Sequence, residues 1–426
     1  MGRHAQLGSH PRLLASLVAL LAAGCEDAVP EAREPASAGV QVMPIEGSPA
    51  QFQSPNLSVA RGTLRPLAAS EAVVATDRFN SARVCGACHG EIFEKWSNSM
   101  HALAYDDPIF QASFLKAYYD SAGEAAALCL RCHSPTIVET RDFLGKLDLT
   151  REGVTCDYCH SMSSITQDAA GQARVTIDHS ARHSPFEQRG EAPEEHAVQW
   201  RPYFERSEVC APCHDYTAPN GTVVFATYSE WKTSESASSG EQCQDCHMPR
   251  LRGDGQGVAG REVFNDHNLQ GGHSPAQVMR AVTAAIEELV RDGDRIRVVV
   301  AIENSGAGHS VPTGLPSKML AVSVSATQTR RTIFRREVIY QRVMQGEDHR
   351  ALDEAWQIKL HSRHVLRDNR LRPGEARREI FVFDAAPNDD VIVRLEVVYR
   401  FRPKLDTQQL MEIPIMEFEK ILARGL

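Results

Sequence analysis

Hydrophobic residues follow two different patterns along the chain, and one of them dominates the C-terminal third. Beyond about residue 294, apolar and polar residues alternate, as in strands that bury one face. The alternating apolar positions are Ile296, Val298, Val300, Ile302, Leu320, Val322, Val324, Val391, Val393, Leu395, Val397 and Tyr399. Turn residues separate these runs. The pattern predicts a β-sandwich-like C-terminal domain over residues 294–426.

Helical spacing occurs in two stretches before that point. The run "EIFEKWSNSMHALAY" places apolar residues on one face of a short helix. The run "SPAQVMRAVTAAIEELVRDG" carries the clearest helical pattern, with Val278, Val282, Ile286 and Leu289 on one face. Ser274 can cap this helix, Pro275 suits its first position, and Gly293 suits its end. We therefore expect a helix over residues 274–293.

The N-terminus has the features of an export signal over residues 1–24. Arg3 and Arg12 precede the short apolar run "LLASLVALLAAG", which is followed by Cys25. A basic start, a short apolar stretch and small residues are typical of a signal peptide, and the run is too short to span a membrane. The sequence "LAAGC" resembles a lipobox, which predicts lipidation of Cys25. Soluble cleavage near the same place is the alternative.

Residues 25–80 combine the lipid-anchor cysteine with a segment rich in Pro, Ala, Ser and Glu that lacks periodicity. Such a composition is typical of a flexible linker. The expected location is the periplasm, with the protein anchored by lipid to a bacterial membrane. The net charge of −9 and the absence of a long basic run argue against a nucleic-acid partner.

The chemistry is concentrated between residues 85 and 247, where C-x-x-C-H occurs five times. Each motif consists of two cysteines followed directly by a histidine. The motifs are Cys85, Cys88 and His89; Cys129, Cys132 and His133; Cys156, Cys159 and His160; Cys210, Cys213 and His214; and Cys243, Cys246 and His247. Ten of the eleven cysteines therefore belong to a motif.

This motif is the attachment site of a c-type haem. Two thiols add to the vinyl groups of one haem, and the histidine after the second thiol becomes the proximal iron ligand. Structural zinc, disulfides and a thioredoxin-like redox pair are the competing interpretations of paired cysteines. The histidine in every motif and the export signal count against all three. The sequence thus predicts five c-type haems in a domain over residues 81–293, mainly helical or irregular, with the haems forming its core.

Each iron also needs a sixth ligand, and the remaining histidines are the candidates. His101 follows the first motif on a predicted short helix, whereas His179 and His183 are four residues apart. His267 and His273 flank two glycines that would allow close approach to a porphyrin. His309 lies in a loop between the first two predicted strands. His196, His349, His361 and His364 are interpreted as structural, and Met100 and Met248 are weaker candidates beside stronger histidines.

Several of these stretches together resemble the multihaem c-type cytochromes of the cytochrome c-554 type. The matching pieces are "CGACHGEIFEKWSNSMHALA", "EGVTCDYCHS", "EVCAPCHDY", "TYSEWKTS", "CQDCHMP", "DHNLQGGH" and "GAGHSVPTGLP", which span roughly residues 81 to 318. The resemblance implies closely stacked, low-potential haems with mostly bis-histidine irons, and a distal ligand at His101. The best-known members have four haems and lack the β-rich tail, so haem pairing and redox partners are not carried over.

Two functions remain open. The first is a non-enzymatic electron carrier that exchanges electrons with redox partner proteins, because six-coordinate irons leave no site for a substrate. The second is an oxidoreductase acting on a small nitrogen or sulfur species at one open haem. The chain has no C-x-x-C-K motif, which removes one known nitrite-reductase signature. Six histidine candidates for five irons favour the carrier.

Overall fold

The computed structural model describes residues 78–168, 173–186, 195–253, 263–401 and 411–424. The predicted signal peptide, Cys25 and the linker up to residue 77 lie outside the described residues, so the predictions about them remain predictions. Within the described ranges, no helix is both long enough and apolar enough to cross a membrane.

Short helices are the main regular elements of the region that carries the five motifs. They are α1 Ala82–Gly86, α2 Gly90–Ser97, α3 Pro108–Asp120, α4 Ala125–His133, α5 Ile137–Thr140, α6 Asp148–Arg151, α7 Cys156–His160, α8 Ala211–His214, α9 Thr227–Lys232, α10 Glu235–Ser238, α11 Cys243–His247 and α12 Pro275–Ala281. Two 3-10 turns cover Pro202–Glu205 and Ser207–Cys210, and α13 Ala355–His361 lies among the later strands.

The strands of the motif region are short and pair two by two. They are β1 Met162–Gln167 with β2 Ala173–Ile177, β3 Arg182–Ser184 with β4 Val198–Trp200, β5 Asp215–Thr217 with β6 Val223–Ala226, and β7 Arg250–Arg252 with β8 Val263–Asn265. The expectation of short helices and loops with little sheet is confirmed for this region.

Longer strands form the C-terminal part. They are β9 Thr283–Asp292, β10 Arg295–Glu303, β11 Lys318–Gln328, β12 Arg331–Gln345, β13 Ala351–Leu352, β14 His364–Asp368, β15 Ala376–Asp384, β16 Val391–Phe401 and β17 Met411–Leu422. One sheet has the order β15-β10-β9, and the other has the order β13-β12-β11-β16-β17, with β14 also pairing with β12.

The two C-terminal sheets share one apolar core. Ile296 and Val300 of β10 and Phe381 of β15 belong to the same buried cluster as Val322 of β11 and Val393 of β16. The alternating residues predicted to face inward are buried, because successive side chains of a strand point to opposite faces. The predicted β-rich C-terminal region is therefore confirmed.

The helix predicted over residues 274–293 is wrong beyond Ala281. Its start is as expected, since Ser274 accepts a hydrogen bond from the Gln277 amide at 3.4 Å and Pro275 opens α12. Strand β9 then pairs with β10 through a turn at Gly293, where φ is +62°. A bulge interrupts this pairing. The extra residue lets Ile286 and Leu289, three apart, both face inward, which imitates a helical period.

Helix α2 also ends earlier than the helical pattern predicts. The Ser97 hydroxyl and the Asn98 amide both donate to the carbonyl oxygen of Glu94, each at 2.9 Å. Such side-chain bonds compete with the helical ladder. His101 therefore lies in a turn segment after α2 rather than on the predicted helix.

The motif region and the sheets are packed against each other through α13. Ile358 is buried in one cluster with Tyr216 and Val224 of the motif region and Met344 of β12. An ion pair of 3.0 Å between Lys116 and Glu354 joins the same two parts. The loops at this end of the sheets are thereby held beside the motifs.

Candidate haem sites

Each C-x-x-C-H motif lies on, or directly beside, a short helical segment. The third and fifth motifs form α7 and α11, and the second ends α4. The fourth spans a 3-10 turn and α8, whereas the first begins in α1 and ends at His89, just before α2. Residues three apart on a helix share a face, so both thiols of a motif are presented on one side.

Local caps explain where these helices begin. The Thr155 hydroxyl accepts the amide of Tyr158 at 3.2 Å and starts α7. Glu152 accepts the amide of Ala82 at 2.9 Å, so a residue next to the third motif caps the helix of the first. These bonds satisfy amides that a helix start leaves free, and they tie neighbouring motifs together.

Thiols of different motifs lie within hydrogen-bond contact of one another. A hydrogen bond with Cys156 lowers the pKa of Cys85, and one with Cys213 lowers the pKa of Cys132 to about 6. A hydrogen bond with Cys210 likewise lowers the pKa of Cys243. The first motif therefore adjoins the third, the second adjoins the fourth, and the fourth adjoins the fifth.

The third and fourth motifs are also close to each other. Burial raises the pKa of Tyr158, and the nearby thiols of Cys213 and Cys159 raise it further. All ten motif cysteines, which lie within the described ranges, are free of disulfides. The five motifs thus form one continuous cluster in which the fourth is adjacent to the second, third and fifth.

Four of the five motif histidines face a second histidine. The ring centroids are 6.4 Å apart for His89 and His196, 6.2 Å for His214 and His101, 6.4 Å for His160 and His267, and 6.2 Å for His247 and His309. In each pair, one ring comes from a motif and the other from a distant segment.

This spacing fits an iron between two imidazoles. A metal–imidazole bond of about 2 Å on each side places two ring centroids roughly 6 Å apart, once the ring radii are added. A direct stack of two rings would bring the centroids closer than that. The four pairs therefore have the separation that an axial histidine pair requires.

Backbone hydrogen bonds orient four of these eight rings. In His160 and His267, Nδ1 donates to a backbone carbonyl oxygen at 2.7 Å, and in His309 it does so at 3.1 Å. His247 donates to the carbonyl of Gln270 at 2.5 Å. A carbonyl can only accept, so the proton is on Nδ1 and the lone pair of Nε2 remains available to a metal.

Desolvation favours the neutral form of several of these imidazoles. It lowers the pKa of His101 and of His267 to about 4 each, and it lowers the pKa of His214 to about 3. Burial also lowers the pKa of His309. A neutral ring is the form that binds iron, so the electrostatics agree with the geometry.

His133 of the second motif differs from the other four. Its ring stacks on Phe110, with centroids 3.8 Å apart and planes 8° from parallel. Its Nδ1 donates to the carbonyl of Ala104 at 2.8 Å, as the Nδ1 atoms of His160 and His247 do to other backbone carbonyls. Within the described residues, no second histidine ring lies at the spacing seen in the four pairs.

Three of the predicted distal candidates are placed elsewhere. His179 bonds to Glu139 at 2.8 Å, and His273 packs edge-on against Phe401. His183 is completely buried, and neither ring nitrogen has a partner among the described residues. Its backbone carbonyl accepts the bond from His160 instead.

Sequence reasoning missed His196, which was interpreted as structural. It precedes β4 and faces His89, although "EEHAVQW" has no helical spacing and no adjacent motif. Only elimination among the remaining histidines could have suggested it. The other three partners, His101, His267 and His309, were among the predicted candidates.

Two comparisons with known proteins gave informative matches. Residues 84–161 match the family profile described as "Cytochrome c554 and c-prime". The fold is similar to a crystal structure of a penta-heme cytochrome c552 from Thermochromatium tepidum, with a TM-score of 0.63 and 23% identity. That match covers 81% of this chain and 99% of the other.

A second structural match covers only a small part of both chains and has a low TM-score. A β-glucosidase from Kluyveromyces marxianus aligns over 34% of this chain and 15% of its own, with 12% identity and a TM-score of 0.16. The comparison with curated proteins gave no match. The family profile and the first structure together support a multihaem c-type protein.

Proposed function

We propose that this multihaem c-type cytochrome transfers electrons through five covalently bound haems. The observation that carries the proposal is the set of four histidine pairs with ring centroids 6.2–6.4 Å apart, each with one member in a C-x-x-C-H motif. The ten motif cysteines would hold the haems by thioether bonds. A bound haem supplies an iron that accepts and releases one electron.

The residues of this chain determine which chemistry is possible at four of the sites. Two histidines at each would fill both axial positions and leave none for a substrate. Nδ1 hydrogen bonds to backbone carbonyls hold four of these rings in place, so little rearrangement would accompany a change of iron charge. Such sites favour electron transfer over catalysis.

The contacts between motifs support a continuous path for electrons. The Cys85–Cys156, Cys132–Cys213 and Cys210–Cys243 contacts join the first motif to the third and the fourth to the second and fifth. Tyr158 of the third motif lies near Cys213 of the fourth, which joins the two groups. The haems attached there would be neighbours. Electrons entering at one end of the cluster would reach every other site without leaving the protein.

The proposed location is the periplasm, with a lipid anchor at Cys25. Residues 1–24 support export, and the segment after Cys25 has the composition of a tether. Electron exchange with redox partner proteins at a membrane surface follows from that arrangement.

The second motif favours one alternative, an oxidoreductase that acts on a small nitrogen or sulfur species. His133 stacks on Phe110, and no second histidine of the described residues pairs with it. A haem held there would keep one axial position for a small molecule. The four bis-histidine sites would then deliver electrons to it or take them away.

A spectroscopic count tests both functions. Mass spectrometry of the purified protein should show five haem additions, and acid-acetone extraction should leave the colour with the protein. Carbon monoxide added to the reduced protein distinguishes the two functions. No shift supports the carrier, whereas a shift equivalent to one haem supports the alternative.

A variant assigns any carbon monoxide signal to a motif. The double substitution Cys129→Ser and Cys132→Ser should remove one haem and the entire carbon monoxide response. Loss of haem with the response intact would contradict a special role for His133. Extractable haem in the wild-type protein would contradict covalent attachment and the proposed function as a whole.

A further inference from the structure

Lys318 and Tyr399 form an unusual pair of polar groups where the sheets meet the motif region. They lie on neighbouring strands β11 and β16, and Tyr399 is directly opposite Leu320 in the register. Lys318 and Leu320 are two residues apart, so Lys318 and Tyr399 share one face of the sheet. This face leads towards the loop that carries His309.

The ammonium group of Lys318 has no counter-charge among the described residues. No hydrogen bond or ion pair connects it to them, and burial lowers its pKa. Its charge acts on the rings of His214, His309 and His273. An isolated buried charge is unfavourable unless an anion or a hydrogen-bond acceptor accompanies it.

Tyr399 is in a comparable position. Its side chain is 6% exposed, burial raises its pKa, and its hydroxyl makes no hydrogen bond to the described residues. A tyrosine hydroxyl without a protein partner is free to donate a hydrogen bond to a ligand. A donor hydroxyl beside an ammonium group is suited to an anionic oxygen.

Two glycines keep the space around these groups open. A Cβ atom at Gly272 would lie 2.7 Å from the Tyr399 hydroxyl and 3.7 Å from Lys318 Nζ. A Cβ atom at Gly314, where φ is +79°, would lie 3.3 Å from Lys318 Nζ. Any larger residue at Gly272 would therefore block the approach to both polar groups.

We propose that Lys318 and Tyr399 bind a carboxylate of a haem attached at the fourth or fifth motif. This inference rests on the proposed function, because it needs haem at those motifs. The ammonium affects His214 and His309, which belong to these two sites, and each haem carries carboxylate side chains. Lys318 would neutralise one carboxylate, and Tyr399 would donate a hydrogen bond to it.

Potentiometric titration of the haem-loaded protein tests the proposal. Loss of a cation near a haem disfavours the extra electron, so Lys318→Met should lower the midpoint potential of one haem. A tenfold fall in its reduced-to-oxidised ratio corresponds to about 59 mV for one electron. Lys318→Arg should keep the wild-type value, and Tyr399→Phe should lower the same midpoint by less.

A matched control and an anion titration complete the experiment. Lys146→Met removes an exposed lysine charge and should leave every midpoint unchanged. Inorganic phosphate distinguishes a free oxyanion from the haem's own carboxylate. Midpoints independent of phosphate support the proposal, whereas a phosphate-dependent midpoint in wild type that is lost in Lys318→Met would overturn it.

Haem loading separates this inference from the proposed function. If Lys318→Met and Tyr399→Phe carry the full number of haems and every midpoint equals that of wild type, the carboxylate site is wrong but the cytochrome function stands. If the wild-type protein carries no covalent haem, the proposed function itself fails. Either variant alone tests the carboxylate site, so the inference can still be tested if one of them folds poorly.

Discussion

The rings of His309 and His247 are nearly parallel, with centroids 6.2 Å apart and planes 17° from parallel. His247 ends the fifth motif, whereas His309 belongs to the loop between β10 and β11. The β-rich C-terminal part therefore contributes a histidine to a candidate haem site in the motif region. Its role goes beyond packing against that region.

Substituting His309 should open one haem. His309→Ala removes the ring opposite His247, so one haem should become high-spin or bind carbon monoxide while the others keep their wild-type spectra. Electronic and electron paramagnetic resonance spectra of the purified protein measure this change. His364→Ala is the control, because His364 is exposed on β14. If both variants match wild type, His309 is not a ligand.

Glu230 should be a positioning residue for the same loop. It accepts the amide of Ser310 at 3.2 Å and the hydroxyl of Thr313 at 3.0 Å, and it pairs with Arg370 at 2.8 Å. Arg370 is only 7% exposed, so Glu230→Gln weakens a buried charged contact. We expect a loss of about 1–3 kcal/mol in the free energy of unfolding.

Spectra distinguish positioning from stability alone in this variant. A looser loop should give a mixture of low-spin and high-spin signals from the haem at His247. Glu287→Gln is the matched control, since its pair with Arg378 is exposed and worth at most about 1 kcal/mol. A destabilised Glu230→Gln protein with a wild-type spectrum would show that the contact has no effect on His309.

His196 and His183 should behave differently when each is replaced. His196 faces His89 at 6.4 Å, so His196→Ala should convert one haem to a carbon monoxide-binding form. His183 is completely buried but faces no motif histidine, so His183→Ala should lower stability and leave the haem spectra unchanged. Chemical denaturation and carbon monoxide difference spectra measure the two effects. If His183→Ala opens a haem and His196→Ala does not, His183 is the ligand and His196 is not.

Gly153 should be intolerant of a side chain. Its φ is +67°, and a Cβ atom there would collide with the carbonyl oxygen of His101. We expect Gly153→Ala to destabilise the protein by more than the roughly 1–2 kcal/mol of left-handed backbone strain. Gly221 has a φ of +86° and open space around it, so Gly221→Ala reports the strain alone. Equal losses in thermal denaturation would rule out the collision.

The sequence determined the chemistry of the motifs, because that chemistry is local. Two cysteines and a histidine within five residues need only one helical turn to present their side chains together. Period-two alternation likewise predicted β10, β11 and β16. A strand that buries one face has an apolar residue at every second position, and this alternation is visible in the sequence. Gly153 stood out as a position of close approach only after its neighbours were known.

Only the tertiary structure decided which histidines face each other and which segments become strands. A sixth ligand comes from a distant part of the chain, so no spacing identifies His196 or explains why His133 stacks on Phe110. The sequence of β9 has helical spacing, but the segment forms a strand because its backbone pairs with that of β10. Pairing of this kind depends on three-dimensional proximity, which the local order of residues does not contain.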